Sequence, residues 1–132
     1  MNAFVVELEN RPGELARLAE AIGQRGINIT AIGAVTSGTA GGIGLLTNDE
    51  SGTREALKAA GITVTEIGLV SVSLEHRAGT LAEVARKLAD AGVNVDLLLP
   101  TGMSGSNVTI ALGVDDVEAA QRVVGQTENV QA

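Results

Sequence analysis

Val6-Glu7-Leu8-Glu9-Asn10-Arg11-Pro12-Gly13-Glu14-Leu15-Ala16 recurs 66 residues later as Val72-Ser73-Leu74-Glu75-His76-Arg77-Ala78-Gly79-Thr80-Leu81-Ala82. Without a gap, Leu8 falls on Leu74, Glu9 on Glu75, Arg11 on Arg77, Gly13 on Gly79 and Leu15 on Leu81. Further along, Gly26-Ile27-Asn28-Ile29 falls on Gly92-Val93-Asn94-Val95, then Leu46 on Leu112 and Asp49 on Asp115. Self-similarity at a fixed period marks a repeated structural unit. The 132 residues therefore read as two copies, 1–68 and 69–132. A unit this small buries only about 60% of its unfolded surface and is marginal alone. The two copies are expected to pack on each other.

Each copy reads strand, helix, strand, strand, helix, strand. In the first, residues 3–9 carry β-formers and end at the breaker Arg11-Pro12-Gly13. Leu15, Leu18 and Ile22, with Ala19 beside them, form an apolar stripe at helical spacing and are expected in the core. Pro12 suits a first helical turn, and Gly26 a helix C-terminus. Residues 27–35 read as a strand, Ser37 to Gly42 as a hairpin loop, and 43–47 as a further strand. A helix from Gly52 to Ala60 and a strand over 62–67 complete the unit. The second copy repeats the plan, with Leu81, Val84 or Ala85, and Leu88 on its first helix and a loop over 101–107. Asp115-x-x-Glu118 reads as a capping box, and the tail Glu128-Asn129-Val130 is a poor strand. A βαββαβ unit is the ferredoxin-like plan, with both helices on one face of an antiparallel sheet. The expected class is α+β: two such units packed side by side.

Composition narrows the function. Hydrophobic residues at 45% and charged residues at 19% describe a globular protein. No apolar run reaches the ~18–20 residues of a membrane span, so no membrane partner is expected. The start Met1-Asn2-Ala3-Phe4 has no basic region, which leads to a cytoplasmic expectation. The net charge of −7 repels phosphate backbones, and Phe4 alone is aromatic. Nucleic acid has neither charge nor stacking surface to hold it. With one His, no Cys and no Tyr, the common nucleophiles and general bases are scarce. A His/Cys metal site has no ligand set. The expectation is a non-enzyme with no cofactor and no metal; carboxylate chemistry by the sixteen acids is the remaining enzymatic alternative.

The strand-to-helix turns are the places for a ligand. A helix N-terminus offers unpaired N–H groups and favours an anion. Gly13 and Gly79 leave the backbone approachable. Asn10 can donate and accept, as the ammonium and carboxylate of an amino acid require; equally, it can hold the turn. Arg11 and Arg77 are placed to bind a carboxylate or to pair with Glu14 or another acid. Asn28 lies beyond the far end of the first helix, so it suits a pocket on the neighbouring copy better than the Asn10 pocket. His76 reads as solvated or turn-stabilising as well as ligand-facing. Gly38 to Gly44 has neither Gly-Lys-Ser/Thr nor G-x-G-x-x-G, so a hairpin is preferred over a phosphate cradle. Gly102-Met103-Ser104-Gly105 is not a nucleophile elbow.

At Glu9-Asn10-Arg11-Pro12-Gly13-Glu14-Leu15, the helix after it, and Gly26-Ile27-Asn28-Ile29, the sequence resembles the ACT domain family, and the whole chain resembles short proteins of two ACT domains. The resemblance implies an amino-acid-binding regulatory protein of amino-acid metabolism, acting through a partner enzyme or a change of oligomeric state. A regulatory subunit without its own ligand is the alternative. It implies ligand contacts at Asn10, Arg11, Pro12, Gly13, Glu14, Leu15, Asn28 and Ile29 in the first copy. Those in the second are His76, Arg77, Ala78, Gly79, Thr80, Leu81 and Asn94. His76 and Ala78 replace the motif's Asn and Pro, which makes the first pocket the better match. A small amino acid, a metabolic enzyme and a second copy of the chain are the implied partners.

Overall fold

The computed structural model describes residues 1–124 and 129–130. The chain divides into two compact units: Asn2–Glu66, and Ile67–Ala132 together with Met1. The first contains β1 (Asn2–Glu9), α1 (Glu14–Gly23), β2 (Ile29–Ser37), β3 (Ala40–Thr47) and α2 (Glu50–Ala59). The next strand, β4 (Val64–Glu75), begins there and runs on into the second unit, followed by α3 (Thr80–Asp90), β5 (Val95–Ser104), β6 (Asn107–Val114), α4 (Val117–Val124) and β7 (Asn129–Val130). Both units follow the ferredoxin-like βαββαβ order, and the class is α+β.

In the first unit β3 is central and pairs antiparallel with both β1 and β2. Opposed pairs are Phe4–Leu45, Val6–Ile43 and Leu8–Gly41 from β1, and Ile32–Leu45, Ala34–Ile43 and Thr36–Gly41 from β2. Strand side chains alternate between faces, and the alternation places Phe4, Val6, Leu8, Ile43 and Leu45 in one core with Leu18 and Ile22 of α1 and Leu57 of α2. Both helices thus cover the same face. The second unit repeats this. Val70, Val72 and Leu74 of β4 and Ile110 and Leu112 of β6 pack with Val84 and Leu88 of α3 and Ala120 and Val124 of α4. Here β6 lies between β5 and β4, and Val72–Val130 and Ser73–Asn129 pair β4 with β7. The tail expected to be a poor strand carries the two-residue strand Asn129–Val130, while Glu128 lies outside the described residues.

The structure corrects the gapless repeat. Gly33–Gly44 matches Leu99–Ala111, and Ala34–Ile43 matches Pro100–Ile110, but Val35–Gly42 matches Gly102–Thr109. Thr101 is therefore one extra residue, taken up by a register shift between Pro100 and Gly102. Such a bulge sets two residues against one. Beyond it the copies are offset by 67, so Leu45 matches Leu112 and Asp49 matches Asp116. The caps agree. Asp49 Oδ1 accepts from Gly52 N at 2.9 Å, and Asp116 Oδ1 from Ala119 N at 3.0 Å. Asp116, not Asp115, caps α4. Asp115 Oδ1 instead accepts from Asn94 N at 2.9 Å, as Asn48 Oδ1 does from Asn28 N at 3.0 Å.

Leu15 and Leu81 also depart from expectation. They open the helical stripes but are 55% and 45% exposed, whereas Leu18, Ile22, Val84 and Leu88 are buried. Each stands on the first turn of its helix. The hairpins are tighter than expected, since β3 begins at Ala40 and β5 runs to Ser104, leaving Gly38-Thr39 and Gly105-Ser106 as the turns.

Arg54 on α2 forks onto Glu66 of β4 at 2.6 and 2.7 Å, and Asn2 Nδ2 donates to the same carboxylate at 3.2 Å. The Arg54 hydrogen bonds lead in lowering the Glu66 carboxyl to about 2 from 4.5, against an opposing desolvation. A depressed carboxyl contributes stability above its unfolded-state value and loses it as pH falls through the folded-state value. The melting temperature of the first unit is therefore expected to decline between about pH 4.5 and 2, and Glu66→Gln to flatten that decline. An acid limb of unchanged slope in Glu66→Gln would refute the assignment.

Candidate functional site

The β1–α1 turn is built on one backbone requirement. Gly13 sits at φ 92 and ψ −13, immediately before α1, and Gly79 repeats those angles before α3. That left-handed region is natural to glycine and costly to other residues. Helix α1 has no side-chain cap. Pro12 lies in the turn ahead of the helix, which starts at Glu14. Asn10 holds the turn to the β2–β3 hairpin instead of capping. Its backbone N–H donates to Thr39 O at 2.9 Å and its Nδ2 to Gly38 O at 2.9 Å.

The charged rim is a short chain of ion pairs. Arg11 NH1 lies 2.8 Å from Glu9 Oε2, Arg11 Nε lies 3.1 Å from Glu14 Oε2, and Arg17 NH2 lies 3.5 Å from Glu14 Oε1. The Glu14 side chain is 12% exposed, against 61% for Arg11. The hydrogen bond from Arg11 is the largest cause holding the Glu14 carboxyl below its ordinary value; burial opposes it, and the charges of Arg11 and Arg17 assist. Glu14 in turn raises the Arg11 guanidinium.

Beneath this rim lies a cavity of about 210 Å³ in the helix-covered side of the first unit. Glu9, Asn10, Arg11 and Glu14 give it polar and charged groups. Leu8, Leu15, Ala34 and Ile43 give it apolar walls, with Thr36, Gly41 and Gly42 completing the lining. The exposure of Leu15 now has a reason: it overhangs this hollow instead of closing the core. A larger hollow of about 590 Å³ is lined by Glu7, Glu9, Val35, Ser37, Ala40 and Gly42 among others, and takes in none of the residues Asn10 to Leu15. Those six lie on the face opposite the core residues of their strands.

Four residues expected at the ligand, Asn10, Arg11, Glu14 and Leu15, thus come together around one cavity. Pro12 and Gly13 shape the turn without lining it. Asn28 and Ile29 lie elsewhere: Asn28 bonds through its backbone to Asn48 at the opposite end of β3 from the Asn10 turn. At ~3.3 Å per residue, Ala40 to Thr47 separates these ends by about 23 Å. Within one unit, Asn10 and Asn28 do not share a pocket. The wall residues Leu8, Ala34, Thr36, Gly41 and Ile43 were not singled out from the sequence. The signal for them lies in the repeat, once Thr101 is placed.

The second turn keeps the backbone and changes the chemistry. His76 N donates to Ser106 O at 2.8 Å, as Asn10 N does to Thr39 O. Thr80, at the position of Glu14, is buried, and its hydroxyl reaches Glu75 O at 2.9 Å and Arg77 O at 3.1 Å. Arg77 Nε lies 2.7 Å from Glu75 Oε2. Ala78 and Gly79 complete the turn, and Leu81 stands exposed beyond it. Asn94 Nδ2 donates to Asp96 Oδ1 at 2.6 Å at the far end of the unit. Among the described residues, no group of three or more His, Cys, Asp or Glu can hold a metal ion, and no helix is long and apolar enough to cross a membrane.

The ACT domain family model matches residues 3–62, most of the first unit. The second unit repeats its fold and its glycine turn. Among solved structures, protein BT0572 from Bacteroides thetaiotaomicron is similar at a TM-score of 0.83 and 20% identity, over 99% of this chain and 91% of that one. The ligand-free regulatory subunit of aspartate kinase from Thermus thermophilus matches at 0.65 and 21%, over 95% and 89%. Its counterpart from Thermus flavus matches at 0.66 and 21%, over 95% and 90%. At these identities the likeness is one of fold. A comparison with curated protein sequences finds no match.

Gly13→Ala meets no heavy atom within 4 Å, so its cost is that of the left-handed backbone, roughly 1–2 kcal/mol. A lower denaturation midpoint with an unchanged slope is expected; equal stability would show that the turn relaxes freely.

Proposed function

We propose that this chain is a non-catalytic, amino-acid-sensing regulatory protein, and that the cavity under the Asn10–Leu15 turn takes a small amino acid. One observation carries the reading. Polar groups that can satisfy an ammonium and a carboxylate, Asn10, Arg11, Glu9 and Glu14, stand directly beside apolar walls within a single small cavity. Small-molecule sites combine a mostly apolar lining with a few placed polar groups. The ACT family match supports the same reading, and so does the similarity in fold to regulatory subunits of aspartate kinase. In the second unit, Thr80 replaces the Glu14 carboxylate and His76 the Asn10 amide, so the first turn is the ligand site we assign. Asn28 and Asn94 are assigned to contacts supplied by a second copy of the chain.

The output passes to an enzyme of amino-acid metabolism or to a change of oligomeric state. A ligand shifts such an equilibrium only by its differential affinity for the two states. A homodimer has a ready element in β2. Its residues Ile29–Ser37 carry no charge and no proline, and Ile32 and Val35 are exposed along it. Natural edge strands are usually blunted by charged residues or proline, and β2 has neither.

A thermal-shift panel of the twenty amino acids tests the reading. Ligand at 100 times its Kd adds about 2.7 kcal/mol, which raises the melting temperature of a small domain by many degrees. At least one amino acid is expected to do so, and Asn10→Ala to weaken it by calorimetry. No shift with any of the twenty would overturn the sensor assignment.

A further inference from the structure

We propose that Gly41 and Thr36, on the β-strand wall of the first cavity, set the size of the ligand's side chain and restrict it to a small aliphatic amino acid. We further infer that the second unit has narrowed its own version of the pocket, although Leu81 and Met103 stay exposed there. This rests on the amino-acid reading above and goes beyond it, because neither residue belongs to the turn.

The argument is an internal comparison between the two copies. With Thr101 placed as the extra residue, Ala34 matches Pro100, Thr36 matches Met103 and Gly41 matches Val108. At all three positions the second unit carries the larger side chain. Val108 packs against the core of its unit, whereas Gly41 borders the cavity in the first. The framework around them is otherwise shared: Leu8 matches Leu74, Leu15 matches Leu81, and Ile43 matches Ile110.

Local geometry shows what a side chain at Gly41 would do. Its Cβ would lie 3.1 Å from Thr36 Cγ2 and 3.2 Å from Leu8 O. Thr36 and Leu8 both line the cavity, so the added atoms would enter the space between its walls. Gly41 has an ordinary strand register, opposed to Leu8 on one side and Thr36 on the other. No turn demands a glycine there. Glycine inside a strand weakens it and often marks a close approach by a ligand or another backbone. The volume of about 210 Å³ lies below the ~300–1,000 Å³ typical of ligand pockets, which limits the occupant to a compact one. Its side chain would lie on Leu8, Ala34 and Ile43, with its charged end at Arg11 and Glu14.

The test is calorimetry on the full chain with L-alanine, L-valine, L-leucine and L-phenylalanine. The variants are Asn10→Ala, Thr36→Met and Gly41→Val. Wild type is expected to bind L-alanine or L-valine at one site per chain, and L-phenylalanine at least about tenfold more weakly, since methylene-sized differences are worth about 10–200-fold. Thr36→Met and Gly41→Val are expected to lower L-valine affinity about tenfold or more and L-alanine affinity less. Asn10→Ala should lower all probes alike. Thr36 is exposed, so Thr36→Met keeps the test decisive if Gly41→Val fails to fold. Wild-type affinity for L-valine in Thr36→Met, or equal affinity of wild type for L-phenylalanine and L-valine, overturns the size filter while leaving amino-acid binding intact. Two sites of equal L-valine affinity per chain overturn the narrowed second pocket. Binding of none of the four probes overturns this assignment, and only a blank across all twenty amino acids overturns the sensor reading as well.

Discussion

The register of β1 on β3 is the constraint on which the rest of the first unit depends. Phe4 opposite Leu45 and Val6 opposite Ile43 seal the helix-covered face. A slip of one residue would turn Glu7 and Glu9 inward and the core outward. The same register brings Leu8 opposite Gly41, and there the seal ends. One pair further along the strands the core gives way to a hollow, over which the first turn of α1 hangs with Leu15 unburied. Core and cavity are successive rungs of one ladder. The turn is then fixed from two sides, by the left-handed Gly13 before the helix and by the two hydrogen bonds of Asn10 to the hairpin.

On the reading we propose, the ion pairs at the rim bear on the ligand more than on stability. Exposed pairs contribute little to folding. Yet Arg11 is held between Glu9 and Glu14, and Glu14 is itself largely covered. The zwitterionic ligand we propose would meet both signs of charge already arranged, beside an apolar wall. The second turn spends the corresponding position on its own backbone, since the Thr80 hydroxyl bonds to Glu75 O and Arg77 O. The same backbone frame therefore presents an open charged rim in one unit and a self-satisfied turn in the other.

Much of the fold was legible because its signals are local and repeated. The breaker at Arg11-Pro12-Gly13, the helical stripes and the turn of Gly26-Ile27-Asn28 each follow from residue chemistry over a few positions. Asn10 and Arg11 were legible as polar groups of the turn for the same reason. Glu14 and Leu15 entered as ligand contacts only through the family resemblance, and helical spacing set Leu15 in the core. The strand wall was not legible, because it depends on which residues oppose each other across β2 and β3. The pairing of Thr36 with Gly41 is a long-range fact, hidden behind a glycine-rich stretch that reads as a loop. The assumption of a gapless repeat concealed it further, since it set Gly41 against Asn107 instead of Val108. It also made Asp115 look like the cap that Asp116 supplies.

Thr101 has a consequence for how such a duplicated chain changes. Surface loops are the usual places where a protein gains or loses residues, but here the hairpin turn Gly105-Ser106 is as short as Gly38-Thr39. The added residue sits within a strand, and its side chain bonds locally, Thr101 Oγ1 to Thr109 O at 3.2 Å. Everything on either side keeps its partners: the hairpin still reaches the turn, and the helix cap still lands on an aspartate. The kink works as an expansion joint. One copy can alter the reach of a strand while the contacts at both of its ends stay in place, so a duplicated site can diverge without a new loop.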